Sequence, residues 1–310
     1  MPEQNFKYSI VLPICNEEDT LNELFARLNR AMSSLKDPYE VICVDDGSTD
    51  SSFDILEQQA GSRPNYKVIK LSRNFGHQIA ITAGLDASEG DAVIILDADL
   101  QDPPEFIPEL AAKWQEGYDV VYAVRRRRKG NFFRNILIKA AYRFINKITR
   151  INIPVDTGDF RLMSRRVVEA LKSSRERSRY LRGLSCWAGF SQVGIEYKRE
   201  KRYAGKTKYP LWKLVKLALD GITSFSRFPL TLAVYLGFFV SLFSVAAVLY
   251  LVYRKLTGLQ IEGWASVMVA IFFMGGAQIF TIGVLGEYIG RIYEEVKQRP
   301  MYLVDKKINI

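Results

Sequence analysis

The sequence predicts an α/β domain with a mostly parallel sheet, followed by two transmembrane helices. Up to about Arg227, short apolar runs alternate with charged, amphipathic segments. Beyond it, two segments contain no charged residue, Phe228–Tyr253 and Trp264–Leu285. Continuous apolar strands that alternate with helices are typical of a parallel sheet covered on both faces. Each uncharged segment exceeds the roughly 20 residues that a helix needs to cross a bilayer.

The elements of the first domain follow from apolar runs and the turn residues between them. In chain order we expect a strand from Tyr8 to Pro13, a helix from Asp19 to about Leu35, a strand after Tyr39, a helix begun by Thr49 or Asp50, a strand Tyr66–Ser72, a helix Gly76–Ala87, a strand Asp91–Asp99, a helix Glu105–Glu116 and a strand Tyr118–Val124. This order predicts a doubly wound sheet.

Acidic side chains collect where the predicted strands end. The stretches "NEE", "DDGS" and "DADLQD" each follow an apolar run, and ligands of such sheets bind at the carboxyl ends of the strands. Asp97 and Asp99 are two positions apart, so in an extended chain they point to the same side, about 6.6 Å apart. Two like charges at that spacing are costly unless a cation lies between them. A plain polar turn closed by Pro103 and Pro104 is the alternative.

The sequence lacks the two common glycine-rich phosphate motifs. Neither G-x-G-x-x-G nor G-x-x-x-x-G-K-[ST] occurs, which disfavours a dinucleotide site of the usual kind and a phosphate-binding-loop ATPase. A diphosphate would then need another source of positive charge. Mg²⁺ or Mn²⁺ held by Asp99 and Asp97 would supply it, because hard cations bind carboxylate and phosphate oxygens together.

The chain is basic, with 43 Lys+Arg against 34 Asp+Glu and a formal net charge of +9. Such a charge suits nucleic acid, an anionic membrane surface or phosphorylated substrates. The basic segment 132–149 repeats apolar residues near the helical period, as does 210–227 just before the first span. Basic amphipathic helices are typical of a membrane interface, so we predict contact with membrane lipid and no nucleic-acid partner.

Basic residues also predict the orientation of the spans. They are dense before the first span and after the second, whereas the connecting loop contains only Arg254 and Lys255. We therefore expect both termini in the cytoplasm and a multi-pass protein of the inner (plasma) membrane. Three widely separated cysteines, Cys15, Cys43 and Cys186, show neither a disulfide framework nor metal-ligand spacing, and we interpret them as reduced core thiols.

Four motifs in this order carry a family resemblance: "VLPICNEE", "VDDGSTD", "LDADLQDPPE" and "DTGDFRL". Together they resemble the inverting family-2 glycosyltransferases of the Rossmann-like GT-A fold. Among these, the chain is most similar to the polyprenyl-phosphate glycosyltransferases, which include the bactoprenol glucosyltransferases and dolichol-phosphate mannose synthase. The C-terminal "GEYIGRIYEEVKQRPMYLV" resembles the bacterial members.

The resemblance implies transfer of a hexose to a polyprenyl phosphate at the cytoplasmic membrane face, with inversion and a divalent metal. It favours UDP-glucose as the donor, with GDP-mannose, UDP-GlcNAc or a UDP-arabinose derivative as alternatives. A processive polysaccharide synthase would have a longer membrane domain and a Q-x-x-R-W motif, which this sequence lacks. A membrane-anchored, non-catalytic nucleotide-sugar-binding protein is the alternative from another class.

The resemblance also implies roles on the donor side. Pro13, Asn16 and Glu17 would line the nucleoside pocket, and Asp46 would hydrogen-bond the base. Asp97 would contact ribose or sugar, Asp99 the metal, and Gln101 would lie near the metal and the diphosphate. Alternatively, Asp45 and Asp46 only cap the following helix.

On the acceptor side, Arg125 and Arg134 would face the lipid phosphate, for which the forked guanidinium is suited. Four residues after Arg134, dolichol-type members have a serine where this chain has Ile138. The acceptor-phosphate contact is therefore incomplete by analogy, and another residue must fill in.

Two further motifs imply roles by resemblance. "REKRYAGKTKY" resembles an R-x-x-G-x-[ST]-K loop, in which Arg202 and Lys208 would close over the diphosphate, with a plain basic membrane flank as the alternative. In "DTGDFRL", Asp156 or Asp159 would orient the sugar hydroxyls or assist as a base. His77, the single histidine, would be structural or a donor-pocket contact.

The predicted domains are a glycosyltransferase domain at 1–209, a juxtamembrane helix at 210–227, a transmembrane hairpin at 228–289 and a cytoplasmic tail at 290–310. A homo-oligomer is a further expectation, from the small residues Gly275–Ala277 in the second span.

Overall fold

The structure is a computed structural model and describes residues 7–126, 154, 157–177, 179–199, 226–257 and 263–310. The described residues fall into two compact units. The sheet unit contains those up to residue 199 and those from 299 to 310, and the helical unit contains those from 226 to 298.

One mixed sheet of eight strands forms the centre of the sheet unit. Its strands are β1 (Tyr8–Ile14), β2 (Tyr39–Asp45), β3 (Tyr66–Leu71), β4 (Ala92–Ile95), β5 (Val120–Arg125), β6 (Thr157–Ser164), β7 (Gln192–Tyr197) and β8 (Val304–Ile308). They lie in the order β7-β5-β6-β4-β1-β2-β3-β8. The pairings β4–β1, β1–β2, β2–β3 and β5–β7 are parallel. The predicted α/β class with a mostly parallel sheet is confirmed.

Helices connect these strands and cover the sheet. They are α1 (Glu18–Leu35), α2 (Ser52–Ser62), α3 (His77–Ala87), α4 (Ile107–Gln115) after a short 3₁₀ turn at Pro104–Phe106, α5 (Arg165–Ser173) and α6 (Leu181–Trp187). In α1, Leu21, Leu24 and Leu28 are fully buried, and their spacing of three and four places them on one face of the helix. Every residue of β1 is buried, as expected of a strand with helices on both sides.

The strand predicted over Asp91–Asp99 was wrong at its end. β4 stops at Ile95, and Leu100 has a φ of 57°, in the left-handed region. Asp97 and Asp99 therefore lie in a turn after the strand rather than on one side of an extended chain. The turn still places both carboxylates at the carboxyl end of β4, which is the predicted location.

Two strands run against the parallel ones, and the sequence analysis predicted neither. β6 pairs antiparallel with β4 and β5, with Leu162 opposite both Ile94 and Val121. β8 pairs antiparallel with β3 and is itself the edge strand on that side. The motif "DTGDFRL" is therefore a strand that lies between β4 and β5, and the last residues of the chain extend the sheet at its other end.

The helical unit contains two long helices, α7 (Phe228–Leu256) and α8 (Trp264–Val296). Both are long and apolar enough to cross a membrane, and almost none of their apolar residues are buried in the protein. α8 continues past the predicted end of the span at residue 289. The predicted interface helix at 132–149 and residues 210–225 of the juxtamembrane helix lie outside the described residues, so both stay predictions.

Candidate active site

Hydrogen bonds hold the loops after β1 and β2 together at the carboxyl ends of these strands. Asn16 has a φ of 55°, and its side-chain oxygen accepts a hydrogen bond from the Thr49 backbone N–H at 2.8 Å. In return, the Asn16 N–H donates to the Ser48 hydroxyl at 3.0 Å, and the Glu17 N–H donates to the Ser52 hydroxyl at 2.9 Å. These contacts fix "NEE" against "DDGS". The predicted Pro13 lies three residues before Asn16 and is buried in β1.

Asp46 connects this edge to the loop before α3. Its two carboxylate oxygens accept hydrogen bonds from the backbone N–H groups of Phe75 at 2.7 Å and Gly76 at 3.0 Å. Asp46 therefore does not cap the following helix α2. Asp45 does not cap α2 either; its carboxylate accepts a hydrogen bond from the Ser48 N–H at 3.1 Å. Burial raises the pKa of both carboxyls.

Gly47 lies where these two loops touch. Its φ is 69°, and a Cβ built on it would come within 2.6 Å of the Arg73 carbonyl carbon. A side chain there would force the loops apart, so glycine is required by both conformation and space.

Asp97 and Asp99 begin the turn after β4, the acidic turn (residues 97–102). Asp99 accepts the Gln101 N–H at 3.1 Å. Oδ1 of Asp97 is buried and has no hydrogen-bond partner among the described residues. Burial raises the pKa of Asp97 to about 6; the charge of His77 lowers it, and the carboxylates of Asp102, Asp159 and Asp99 raise it further.

His77, the first residue of α3, lies between two carboxylates. Its Nε2 is 3.4 Å from Asp97 Oδ1 and 3.3 Å from Asp159 Oδ2. Burial lowers the pKa of His77, but the hydrogen bond to Asp159 and the charge of Asp97 outweigh it and raise the pKa to about 9. His77 therefore carries a positive charge at neutral pH, and its structural role and its donor-pocket contact both stay predictions.

Asp159 is fixed from three directions. Arg182 on α6 donates to its two oxygens at 2.8 and 3.0 Å, and Gln78 donates to Oδ2 at 3.2 Å. Burial raises the pKa of Asp159, but Arg182 and His77 together hold it well below its usual range. A carboxylate held in this way is a poor proton acceptor.

Asp102, at the end of the acidic turn, is fully buried beside two arginines. The Tyr197 hydroxyl donates to its Oδ1. Arg125 Nη2 is 3.9 Å from Oδ2, and Arg199 Nε is 3.5 Å from Oδ1. Arg125 packs over Gly158, where a Cβ would lie 2.6 Å from its Nη2. Sequence reasoning placed Asp102 in the acidic stretch but missed Tyr197 and Arg199.

A divalent metal fits this site only with help from its ligand. Among the residues that the structure describes, no group of three His, Cys, Asp or Glu side chains could hold a metal ion. Asp97 and Asp99 offer two carboxylates, and the buried Asp97 oxygen without a hydrogen-bond partner suits a cation. A phosphorylated ligand would have to provide the other oxygens.

The structure brings most of the predicted residues to the carboxyl ends of the central strands. The acidic turn follows β4, the loops with Asn16 and Asp46 follow the neighbouring β1 and β2, and the charge of His77 acts on both Asp46 and Asp97. Four predicted residues lie outside the described part of the chain: Asp156, Arg134, Arg202 and Lys208. Arg182 and Gln78 were missed, since no local motif marks them.

The family model and the relatives that match this chain are all glycosyltransferases. The profile described as "Glycosyl transferase family 2" matches residues 9–172. An uncharacterised glycosyltransferase of Synechocystis is 51% identical over 96% of this chain and 94% of its own length. The SfII prophage-derived bactoprenol glucosyl transferase of Shigella flexneri is 45% identical over 97% of this chain and 98% of its own length.

Among solved structures, one match is glucosyl-3-phosphoglycerate synthase from Mycobacterium tuberculosis in complex with Mn²⁺, UDP and glucosyl-3-phosphoglycerate. It is 21% identical, covers 70% of this chain and 77% of its own, and superposes with a TM-score of 0.46.

Proposed function

Since this chain belongs to glycosyl transferase family 2, and is a glycosyltransferase, we propose that it transfers glucose from UDP-glucose to the phosphate of a polyprenyl phosphate. The single observation that carries this proposal is the 45% identity, over nearly the whole of both chains, to a protein named bactoprenol glucosyl transferase. The two apolar helices support a lipid acceptor, because they would hold the sheet unit at a membrane.

The donor would bind at the edge formed by the loops after β1, β2 and β4. We assign the nucleoside to the tied loops around Asn16, Glu17 and Asp46, as the resemblance implies. The diphosphate would lie near Asp97, Asp99 and Gln101. Mg²⁺ or Mn²⁺ held by Asp99 and Asp97 would neutralise the charge that develops on the leaving diphosphate.

The acceptor needs positioning more than proton removal. A phosphate monoester has a second pKa near ~6, so at neutral pH it is already largely a dianionic nucleophile. Attack on the anomeric carbon from the side opposite the leaving group inverts that centre and gives a β-linked product from an α-linked donor. Arg125 would bind this phosphate, and Arg134, Arg202, Lys208 and Asp156 keep their predicted roles as expectations from the resemblance.

Asp159 is better suited to hold His77 than to accept a proton. Its carboxylate is already bound by Arg182 and Gln78, and its pKa lies well below the usual range. Through His77 it fixes the orientation of Asp97, 3.4 Å from the same ring nitrogen. We therefore propose a positioning role for Asp159 instead of the base role that its motif left open.

We place the active site on the cytoplasmic side of the inner membrane. The chain leaves the sheet unit before α7 and re-enters it after α8, since residues 299–310 belong to that unit. Both ends of a two-helix membrane segment must then face the same compartment, and the basic flanks indicate the cytoplasm. A cysteine introduced at Thr257, with the native cysteines replaced, should react with a membrane-impermeant maleimide in intact cells. Protection of Thr257→Cys would contradict this orientation.

The donor is tested with purified full-length protein, undecaprenyl phosphate and Mg²⁺ or Mn²⁺. UDP-glucose, UDP-GlcNAc, GDP-mannose and a UDP-arabinose derivative are supplied in separate reactions, and mass spectrometry identifies the lipid product. We expect a hexosyl lipid from UDP-glucose, β-linked by NMR and absent after EDTA treatment. A product from another donor would replace glucose in the proposal, and an α-linked product would contradict inversion.

A further inference from the structure

The buried carboxylate of Asp102 lies between two arginines, of which the reaction above uses only one. Asp102 is fully buried and is the last residue of the acidic turn. Arg125 comes from the end of β5, and Arg199 follows β7, the parallel neighbour of β5. The pairing of these strands therefore brings the two guanidinium groups to the same carboxylate.

Neither arginine is saturated by Asp102. Their closest nitrogen–oxygen distances to it are 3.9 and 3.5 Å, whereas charge-assisted N–H···O bonds are about 2.7–2.9 Å long. Elsewhere in the protein, Arg182 binds Asp159 at 2.8 and 3.0 Å, and Arg27 binds Glu105 at 2.6 and 2.8 Å. Within the described residues, Arg199 Nε has no hydrogen-bond partner.

The local charge favours an anion. Two guanidinium groups share one buried carboxylate, which leaves an excess of one positive charge. Tyr197 adds no negative charge at neutral pH, because burial and the neighbouring Asp102 raise its pKa. The side chains of Arg125 and Arg199 are 29% and 32% exposed, so neither is fully buried. Planar forked donors of this kind match the oxygens of a phosphate.

We propose that Arg199 is a second guanidinium of the acceptor-phosphate site and binds the lipid phosphate together with Arg125. This inference rests on the proposed function, which requires such a phosphate. Asp102 positions both arginines, and it lies only three residues after Asp99 in the same turn. One short turn thus fixes the acceptor phosphate relative to the carboxylates assigned to the donor.

Binding of farnesyl phosphate, a short polyprenyl phosphate, tests this assignment without requiring turnover. Isothermal titration compares full-length wild type, Arg199→Gln, Arg199→Lys and Lys198→Gln in detergent, with farnesol as the ligand that lacks phosphate. Lys198→Gln is the matched control, because it removes one positive charge from the adjacent, exposed residue. UDP with Mn²⁺ is titrated in parallel, and thermal unfolding confirms that each variant is folded.

We expect Arg199→Gln to weaken farnesyl phosphate binding about tenfold or more, the loss typical of a charged hydrogen bond, with UDP binding unchanged. Arg199→Lys should lose less, because it keeps the charge without the fork, and it serves as the test if Arg199→Gln does not fold. Lys198→Gln should bind like wild type.

Three results would overturn the inference: unchanged farnesyl phosphate binding in Arg199→Gln, a loss of UDP binding instead, or equal wild-type binding of farnesol and farnesyl phosphate. The second would move Arg199 to the donor diphosphate. If Arg199 proves necessary for farnesyl phosphate binding but wild type forms no glycolipid from UDP-glucose, the proposed function fails while this phosphate site stands.

Discussion

Asp97, whose side chain is 22% exposed, and the buried Asp159 both contact His77 but have opposite electrostatic surroundings. Burial and three nearby carboxylates raise the pKa of Asp97 to about 6 despite the charge of His77. Arg182 gives Asp159 two direct hydrogen bonds and, with His77, outweighs burial, so its pKa is low. His77 contacts both carboxylates, but only Asp159 also forms an ion pair with Arg182, so Asp97 has less compensating positive charge. This difference supports a cation at Asp97 and a positioning role for Asp159.

Removing Arg182 should destabilise the protein, because it leaves the carboxylate of Asp159 buried with less compensation. We expect Arg182→Gln to cost about 3 kcal/mol, as for other broken buried ion pairs, and the double variant Arg182→Gln/Asp159→Asn to recover part of the loss. Thermal unfolding of the full chain in detergent measures both.

The matched control is Arg27→Gln, which breaks the ion pair with the half-exposed Glu105 and should cost about 1 kcal/mol or less. Equal effects of Arg182→Gln and Arg27→Gln, or no relief in the double variant, would contradict this description of Asp159.

Asp119 should make the stability of the sheet unit sensitive to acid. Burial raises the pKa of Asp119, but hydrogen bonds from Arg166, Ser191 and Ser164 outweigh it and lower the pKa to about 2. A folded-state pKa below the unfolded value of about 3.9 stabilises the fold above that value, and the contribution disappears as the pH falls from about 4 through about 2.

Asp119→Asn should therefore lower the melting temperature at pH 7 and change it much less near pH 2, where wild type has lost the same contribution. Thermal unfolding at both pH values makes the comparison. An equal decrease at the two pH values would show that packing rather than charge stabilises this position.

Residues whose partners lie far away in the chain could not be predicted from the sequence. Asp97 and Asp99 were recognised because their spacing and the preceding apolar run form a local pattern. Tyr197, by contrast, binds Asp102 across 95 positions, and Arg182 on helix α6 binds Asp159 on strand β6. Such pairs depend on strand order, which no local pattern contains.

At the level of elements, burial decides which strands the sequence reveals. β1 to β4 are nearly continuous apolar runs, because helices cover the faces of the sheet there. Each of these strands was predicted. β7 alternates partly buried and exposed residues at a sheet edge. β8 has the sequence "VDKKI" and is mostly exposed, so its composition resembles a solvated tail. Only its pairing with β3 makes it a strand.

The C-terminal strand should protect the edge of the sheet. Residues 299–310 add β8 to β3, Tyr302 donates to Asp86 at 2.8 Å, and Lys306 forms an ion pair with Glu57 at 2.6 Å. Without them, β3 becomes an unpaired edge, which invites exchange and aggregation. Deletion of 299–310 should speed hydrogen exchange in β3 and lower the melting temperature.

Peptides from β1, which lies farther from that edge, provide the internal control and should change much less. If β3 amides in the truncated protein exchange as slowly as in the full chain, β8 does not protect the edge of the sheet.

At the scale of the whole molecule, the proposed function requires a donor site at the carboxyl ends of the strands and a lipid acceptor. The family match and the relatives establish a glycosyltransferase. The acidic turn of six residues contains the assigned metal ligands and also Asp102, which contacts the proposed acceptor arginines Arg125 and Arg199. The two apolar helices are long enough to cross the membrane that would contain the proposed polyprenyl phosphate. Together these features predict transfer to the lipid rather than to water.

The most direct test is the transfer of labelled glucose from UDP-glucose to undecaprenyl phosphate by the purified full-length protein with Mg²⁺ or Mn²⁺. Label extracted into organic solvent is counted for wild type and for Asp99→Ala, with undecaprenol as the acceptor that lacks phosphate. We predict lipid-linked label only with undecaprenyl phosphate, reduced about a hundredfold or more in Asp99→Ala. No labelled lipid from the wild type, or equal labelling by Asp99→Ala, would contradict the account.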